Sequence, residues 1–418
     1  MKYPAVVTAF YFTLITLPLL LMQTGCATQS PAASERSPLI LISIDGLKPD
    51  LPDSTPTPTL DMLSEQGSLA EAMIPVFPTS TFPNHYSLVT GLYTENTGVI
   101  ANSMYDAEME SFFSLGNRSA VEDGRWYGGE PIWVTAERQD VRTATMFWPG
   151  SEAEIAGMRP TRYYTYDGSL PYASRVDSVM HWLTLPDSDP TRPEFITLYF
   201  STVDSRGHSD GTYADATKEA LTMVDGHLGT LVERLKEEGM WEEINMIVTS
   251  DHGMQDLSDD RVVFLDDMID LDDVNVLNWS PVVMIEPDGE RTEAVYEALK
   301  AGGEQGYTVY KKEDLPERWR FKNHHRVPEI VAVADLGWTV SSRGFYERRG
   351  LLAATHGFDN AYPEMQTYFL AVGKDIREGH RIEPFEIVHI YELMARLLDI
   401  EPAPNDGDPD VLRDIIEE

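Results

Sequence analysis

Three apolar runs of strand length, each followed closely by an aspartate, constrain this 418-residue chain more than any other feature. They cover residues 39–44, 195–200 and 244–249, and the acids that follow them are Asp45, Asp204 and Asp251. Short apolar runs alternating with helical patterns indicate an α/β fold with a largely parallel sheet. In such sheets the ligand crevice lies outside the carboxyl ends of the strands. We therefore expect the three carboxylates to share one site.

The remaining patterns complete an α/β sandwich, with helices flanking a mostly parallel central sheet. Helical periodicity is present at residues 57–66 and 214–238, a further strand is predicted at 368–372, and a late helix at 384–398. Residues 253–350 are less regular. This region predicts an inserted, capping lobe.

The N-terminal segment has the pattern of a bacterial signal peptide. One Lys precedes an apolar stretch at residues 5–22, and small residues lead to Cys26, the only cysteine in the chain. Thr24-Gly25-Cys26 resembles the end of a lipobox, although Gln23 departs from the usual aliphatic residue. We predict a signal peptide of lipoprotein type at 1–26, a lipid anchor at Cys26, a tether at 27–37 and a single catalytic domain at 38–418. Plain cleavage and an uncleaved anchor remain alternatives.

The formal net charge of −37 argues against a protein that coats nucleic acid or binds membranes through basic residues. It does not argue against a phosphate ester substrate, because bound divalent cations invert the local field of a carboxylate-rich site.

The candidate metal ligands are aspartates and histidines at four places, three of which directly follow predicted strands. They are Asp45, Asp204, His208, Asp251, His252 and His356. Taken singly, an Asp-Gly or His-Gly pair is more often a turn or a helix end. Occurring together in an order that converges on one sheet edge, they suit two borderline metal ions, and mixed Asp/His ligation favours zinc.

The stretch from Phe77 to Asn102 places hydroxyl residues immediately before a helix-like run. The Thr81 hydroxyl is a poor nucleophile unless a base or a metal deprotonates it, and a cation held by the nearby candidate ligands would supply that activation. The start of the following helix favours a phosphate oxygen. Ordinary turn chemistry is the alternative for this segment.

Seven ordered motifs between Pro38 and the C-terminus resemble the nucleotide pyrophosphatase/phosphodiesterase family of the alkaline phosphatase superfamily. They are SIDGLKPD, PTSTFPNHYSLVTGLY, MFWPGSEAEIAG, DSRGHSDG, TSDHGM, THGFDN and EPFEIVHIYELMARLLDIEPAPNDG. The resemblance implies an alkaline-phosphatase-like sandwich and a site with two Zn²⁺ ions.

Carried over by position, the resemblance assigns a role to each candidate residue. Thr81 is the nucleophile, and Asn102 binds a nonbridging phosphoryl oxygen. Phe82 and Tyr166 sandwich a nucleobase, and Tyr199 lines the same pocket. The ligands of one zinc are Asp45, Thr81, Asp251 and His252, and those of the other are Asp204, His208 and His356.

The implied function is a di-zinc phosphodiesterase that releases nucleoside 5′-monophosphates through a phosphothreonine intermediate. The N-terminal pattern adds export, and we expect a monomer. Its expected location is the periplasm or the outer membrane of a bacterium. A phosphonate hydrolase and a lysophospholipase C-like choline phosphodiesterase remain alternatives, because such members have nearly the same metal ligands. A non-enzymatic receptor is disfavoured, since all six Asp and His ligands are present.

Three positions depart from the pattern of members that favour nucleoside triphosphates. Ser80 and Ser103 stand where those members tend to carry Lys, and Thr97 replaces a frequent His. Losing two cations near the phosphate tail weakens the binding of extra phosphates. We therefore expect diesters and dinucleotides to be better substrates than ATP.

Overall fold

The computed structural model describes residues 1, 2, 4, 5, 8, 9, 36–302 and 305–417. Cys26 and nearly all of the predicted signal peptide and tether lie outside these residues. The described residues from Arg36 onward belong to one compact unit. Within the described ranges, no helix has both the length and the apolar character needed to cross a membrane.

Strands and helices are numbered here in chain order. The strands are β1 (Leu39–Ile44), β2 (Ser68–Ala70), β3 (Met73–Ile74), β4 (Ser103–Asp106), β5 (Ser111–Ser114), β6 (Thr143–Met146), β7 (Arg162–Tyr163), β8 (Phe195–Phe200), β9 (Asn245–Thr249), β10 (Gln255–Asp256), β11 (Val262–Phe264), β12 (Val274–Asn278), β13 (Val282–Pro287), β14 (Tyr307–Lys311), β15 (Ile330–Ala334), β16 (Thr339–Ser341), β17 (Ala354–Thr355), β18 (Phe369–Gly373), β19 (His380–Ile382) and β20 (Phe385–Glu386). The α-helices are α1 (Pro58–Gln66), α2 (Thr81–Thr90), α3 (Thr94–Thr97), α4 (Arg118–Val121), α5 (Ile132–Arg138), α6 (Tyr172–Leu183), α7 (Thr202–Asp210), α8 (Asp215–Glu237), α9 (Thr292–Gly302), α10 (Arg343–Arg349) and α11 (Ile390–Leu397).

An eight-stranded sheet in the order β19-β2-β18-β9-β1-β8-β6-β7 forms the centre of the fold. Strand β1 pairs in parallel with β8 on one side and with β9 on the other, whereas β18 runs antiparallel to both of its neighbours. The three strands singled out from the sequence are therefore adjacent and parallel. The predicted mostly parallel α/β sandwich is confirmed.

The two faces of this sheet carry two separate apolar cores. Along β1, Leu39 and Leu41 face the core formed with α2, α5 and α11. Ile40 and Ile42 face the core formed with α1, α6 and α8. Successive side chains of a strand point to opposite faces, so a strand that is apolar throughout must be covered on both sides. This explains why residues 39–44 are apolar at every position except Ser43.

The irregular region predicted at residues 253–350 contains a lobe with its own sheet. Its four antiparallel strands have the order β12-β13-β15-β14. One face of this sheet packs with α9, through Val283 and Ile285 on β13. The opposite face, which includes Val282 and Met284, joins the core beside α2. The lobe is thus inserted between β9 and β18 and anchored on the main body.

The late helix begins later than the sequence predicts. We expected it to start at Pro384, but α11 begins at Ile390, after strand β20 and a 3-10 turn over Ile387–His389. Strand β20 pairs in parallel with β3. A pairing with a strand about three hundred residues away overrides the local helical pattern.

Gly46 allows β1 to end against α7. Its φ of +72° lies in the left-handed region, and a Cβ there would stand 3.0 Å from the Asp204 Cα. The turn brings the Asp45 carbonyl to the Asp204 N–H, at 3.1 Å. Only glycine fits this turn without strain.

We expect Gly46→Ala to lower the free energy of unfolding by about 1–2 kcal/mol or more, because a left-handed Cβ is strained and this one also meets the α7 backbone. Gly226 on the exposed side of α8 is the matched control, since a Cβ there meets no atom within 4 Å. Gly226→Ala should instead stabilise the protein by about 0.5–1 kcal/mol. Urea unfolding measures both changes, and equal effects would contradict this account of the turn.

Candidate active site

The carboxyl ends of three adjacent strands deliver most of the candidate ligands. Asp45 directly follows β1, Asp204 lies in the first turn of α7 after β8, and Asp251 and His252 follow β9. His356 follows the two-residue strand β17, which comes after the inserted lobe. All of these predicted ligands, together with His208 on α7, come together at one edge of the sheet.

One group of ligand atoms surrounds Asp204. Its Oδ1 lies 3.3 Å from His208 Nε2 and 3.6 Å from His356 Nε2. Each histidine donates its Nδ1–H to a main-chain carbonyl, His208 to Ala354 and His356 to Thr79, both at 2.9 Å. These hydrogen bonds leave Nε2 as the free ligand atom.

A second group surrounds His252. Its Nε2 lies 3.0 Å from Asp251 Oδ2, 3.4 Å from Asp45 Oδ1 and 3.2 Å from Thr81 Oγ1. Its Nδ1 faces the Gly253 carbonyl at 3.0 Å. The His252 and His356 rings stack at 3.5 Å, so the two groups are contiguous. The two groups contain the residues that the resemblance assigns as ligands, but the grouping is not fully separate, because the ligand atoms of Asp204, His252 and His356 also lie within 4.8 Å of one another.

The hydrogen bonding of the carboxylates fits a metal site. Asp45 Oδ1, Asp204 Oδ1 and Asp251 Oδ2 are buried and have no hydrogen-bond partner among the described residues. A buried polar atom without a partner is costly, and a buried carboxylate is usually paired or bound to a metal. These are the same oxygens that face the histidine Nε2 atoms. The residues therefore fit divalent cations with mixed oxygen and nitrogen ligation.

The ionisation of the site follows from this crowding. Burial, then the neighbouring Asp251 and Asp204 carboxylates, raise the pKa of Asp45 well above its usual value. Burial and the neighbouring His252 lower the pKa of His356 to about 3, whereas the carboxylates of Asp204 and Asp251 outweigh burial and raise the pKa values of His208 and His252. A cation would relieve the repulsion among the carboxylates.

His85 lies close to Asp251 but has no free ligand atom. Its Nδ1 faces the Thr81 carbonyl oxygen at 2.9 Å and Asp251 Oδ2 at 3.2 Å, and its Nε2 faces Ser43 Oγ at 2.8 Å. With Nδ1 donating, Nε2 accepts the Ser43 hydrogen. Asp45, His85 and Asp251 also place ligand atoms within 4.8 Å of one another, but the hydrogen bonds of His85 favour a bracing role.

Thr81, which the sequence placed immediately before a helix-like run, is itself the first residue of α2. The Phe82 N–H next to it donates to Asn102 Oδ1 at 2.9 Å. Asn102 is therefore held beside Thr81, with its amide nitrogen left as a donor. The start of α2 adds the positive end of the helix dipole.

A cavity of about 150 Å³ opens beside Thr81 and contains all three predicted base-binding residues. Its lining comprises Thr81, Phe82, Leu115, Arg118, Val121, Phe147, Trp148, Pro149, Glu152, Tyr166 and Tyr199. Tyr166 is 43% exposed and contacts the Phe147 ring edge-on at 5.0 Å. Aromatic walls of this kind suit a flat nucleobase.

Several contacts of the site were not anticipated from the sequence. Tyr199 donates its hydroxyl hydrogen to Asp45 Oδ2 at 2.5 Å, and burial, then the Asp45 charge, raise the pKa of Tyr199 so that the hydroxyl stays protonated. Glu152 lines the pocket and pairs with Arg118. Ser43 is another residue whose contact with the site was not anticipated. Its only sign in the sequence is that it is polar within an otherwise apolar strand.

A family model described as type I phosphodiesterase/nucleotide pyrophosphatase matches residues 39–359. The chain belongs to this family of phosphoric diester hydrolases, within the alkaline phosphatase superfamily, as the motifs indicated. Venom phosphodiesterase CdcPDE of Crotalus durissus collilineatus is 37% identical over 392 residues, which are 91% of this chain and 46% of that protein. The chain thus spans about half the length of such relatives.

A relative closer in length is the Bis(5'-adenosyl)-triphosphatase ENPP4 of Bos taurus, 37% identical over 92% of this chain and 83% of that protein. Among solved structures, murine ectonucleotide pyrophosphatase/phosphodiesterase 5, in an inactive form in complex with AMP, has a TM-score of 0.86 and 34% identity. The match covers 91% of this chain and all of that one. These relatives are named for nucleotide chemistry and do not favour the phosphonate or choline-phosphate alternatives.

We expect added zinc to raise the thermal unfolding midpoint above that of EDTA-treated protein. A ligand present at about 100 times its Kd adds about 2.7 kcal/mol to the free energy of unfolding. Asp204→Asn should reduce this increment, because Asp204 faces two of the histidines. Asp225→Asn is the control. Asp225 caps α1 through the Thr59 and Leu60 N–H groups, so its loss should lower stability without changing the zinc increment. An unchanged increment in Asp204→Asn would argue against the site.

Proposed function

We propose that this protein is an exported di-zinc phosphodiesterase/pyrophosphatase that releases nucleoside 5′-monophosphates from nucleotide phosphodiester or pyrophosphate bonds. The observation that carries the proposal is the position of Thr81. Its Oγ1 lies 3.2 Å from His252 Nε2 in the metal-ligand cluster, while Thr81 also lines the aromatic cavity. One residue thus faces the candidate ligands and the candidate base pocket together.

Zinc ions held by the two ligand groups would lower the pKa of the Thr81 hydroxyl and balance charge on the attacking and leaving oxygens. In the first step the Thr81 hydroxyl gives up its proton to solvent, Thr81 Oγ forms a bond to phosphorus, and the bond to the leaving oxygen breaks, so that the leaving group departs with the bonding electron pair and takes a proton from solvent. The nucleotide is then esterified to Thr81. In the second step water attacks phosphorus, the Thr81 ester bond breaks, and Thr81 regains its proton as the nucleoside monophosphate leaves.

Asn102 and the start of α2 stabilise the phosphoryl group in this proposal. The Phe82 N–H occupies Asn102 Oδ1, so the amide nitrogen of Asn102 is the end available to a nonbridging oxygen. A donor fixed before the reaction costs no reorganisation when charge develops in the transition state.

The base would stack in the cavity between Phe82 and Tyr166, with Tyr199 as a further wall. Stacking on an aromatic side chain contributes about 1–3 kcal/mol per base. The AMP bound to the structurally similar murine protein supports a nucleotide in a fold of this kind.

Dinucleotides and other diesters are the proposed substrates. Ser80 and Ser103 offer hydroxyls where lysines would bind extra phosphates, and both side chains are partly accessible. The bovine relative named for bis(5'-adenosyl)-triphosphate hydrolysis supports this direction. Export, the lipid anchor at Cys26 and a monomeric state belong to the same proposal and rest on the sequence.

We expect Thr81→Ala to lower kcat/KM for the p-nitrophenyl ester of thymidine monophosphate by about 10³-fold or more, as loss of a nucleophile does. Thr81→Ser, which keeps a hydroxyl, should retain measurable activity, and Ser80→Ala should retain most of it. Steady-state rates on the zinc-loaded protein provide the measurement. Full activity of Thr81→Ala would refute the assignment of the nucleophile.

The same assay tests the substrate class. Wild type should prefer the thymidine ester to p-nitrophenyl phosphate and to p-nitrophenyl phosphocholine. A preference for phosphocholine would leave the metal site intact but refute the base pocket.

The double variant Ser80→Lys/Ser103→Lys should raise kcat/KM for ATP relative to the thymidine ester by about tenfold or more, because each added cation contributes to phosphate binding. Ser209→Lys, on the exposed side of α7, adds the same charge and is the matched control. A wild type that already cleaves ATP better than the ester would contradict the proposed preference.

A further inference from the structure

We propose that Tyr199 is a positioning residue for the metal ligand Asp45, so that one side chain belongs to both the base pocket and the metal site. This inference rests on the proposed function, because it assigns Asp45 to a bound zinc. It separates the hydroxyl of Tyr199, which acts on Asp45, from its ring, which forms a pocket wall.

The strand register brings the two residues together. In the β1–β8 pair, Ser43 is opposite Tyr199 and Ile44 is opposite Phe200. Asp45 follows immediately, and its N–H donates to the Phe200 carbonyl at 2.9 Å. The Asp45 main chain is thereby fixed beside the strand that carries Tyr199.

The two oxygens of Asp45 have different surroundings. Oδ2 accepts the Tyr199 hydroxyl hydrogen at 2.5 Å. Oδ1 has no hydrogen-bond partner among the described residues and lies 3.4 Å from His252 Nε2. The hydrogen bond therefore fixes which oxygen faces the metal site and prevents the carboxylate from rotating.

The ring of Tyr199 has a separate environment. It lines the cavity together with Thr81 and Phe82. Its centroid lies 6.2 Å from that of Tyr166 and 5.4 Å from that of His85. Removing the hydroxyl alone thus leaves the pocket wall in place, and the two roles can be tested independently.

The test is Tyr199→Phe in the full chain, titrated with zinc against a chromophoric chelator. Loss of a hydrogen bond to a ligating side chain weakens metal binding by about 10–100-fold. We expect a loss of this size for one of the two zinc ions, with a lower kcat. The KM for the p-nitrophenyl ester of thymidine monophosphate should stay within about twofold, because the ring remains.

Tyr127→Phe is the matched control. Tyr127 is also buried and donates its hydroxyl hydrogen to the Val121 carbonyl at 2.9 Å, away from the ligands. Its zinc dissociation constants should equal those of wild type. A double-mutant cycle with Asp45→Asn provides the second measurement. If Tyr199 acts through Asp45, Tyr199→Phe should weaken zinc binding much less in the Asp45→Asn background than in wild type.

Wild-type zinc affinity in Tyr199→Phe, or additive effects in the cycle, would overturn the inference. A raised KM with unchanged zinc affinity would show Tyr199 to be a pocket wall only. Failure of the proposed function has a different signature, because wild type itself would then bind no zinc or leave the nucleotide ester intact.

Discussion

Three carboxylates, each with a buried oxygen that lacks a hydrogen-bond donor among the described residues and all brought to one sheet edge, are the constraint on which the rest of the site depends. Asp45, Asp204 and Asp251 each keep an oxygen that no described group satisfies. Bringing such charges together in the interior costs several kcal/mol per ion unless a counter-charge is present. The net charge of −37 adds to this repulsion. Cation binding would therefore contribute to folding stability as well as to chemistry.

The start of α2 sets the spacing between Thr81, which faces the ligand cluster, and Phe82, which lines the cavity. Thr81 and Phe82 are consecutive, so a single helical turn aims one side chain at the ligand cluster and the next at the base cavity. Asn102 accepts a hydrogen bond from the Phe82 N–H, and His85 donates one to the Thr81 carbonyl. The spacing between Thr81 and Phe82, the residues proposed to face the phosphoryl group and the base, is thus fixed by covalent geometry and two hydrogen bonds.

Much of the fold, and the convergence of the candidate ligands on one sheet edge, could be predicted from local sequence patterns, whereas the roles of the site residues came from the family resemblance. Apolar runs located the central strands, and the acids after them located the sheet edge. Contacts between distant segments carry no local signal, which is why the β20–β3 pairing displaced the predicted start of α11. For the same reason the bond from Tyr199 to Asp45, and that from Ser43 to His85, appear only in three dimensions.

The position of the inserted lobe determines where this fold can gain or lose residues. It leaves the main sheet after His252 and returns just before His356, and the two imidazole rings at its ends stack at 3.5 Å. Because its entry and exit are adjacent, residues can be added to or removed from the lobe at a small entropic cost, which grows only with the logarithm of loop length. The stacked pair thus closes the insertion at the ligand cluster, while Val282 and Met284 keep the lobe anchored in the core beside α2.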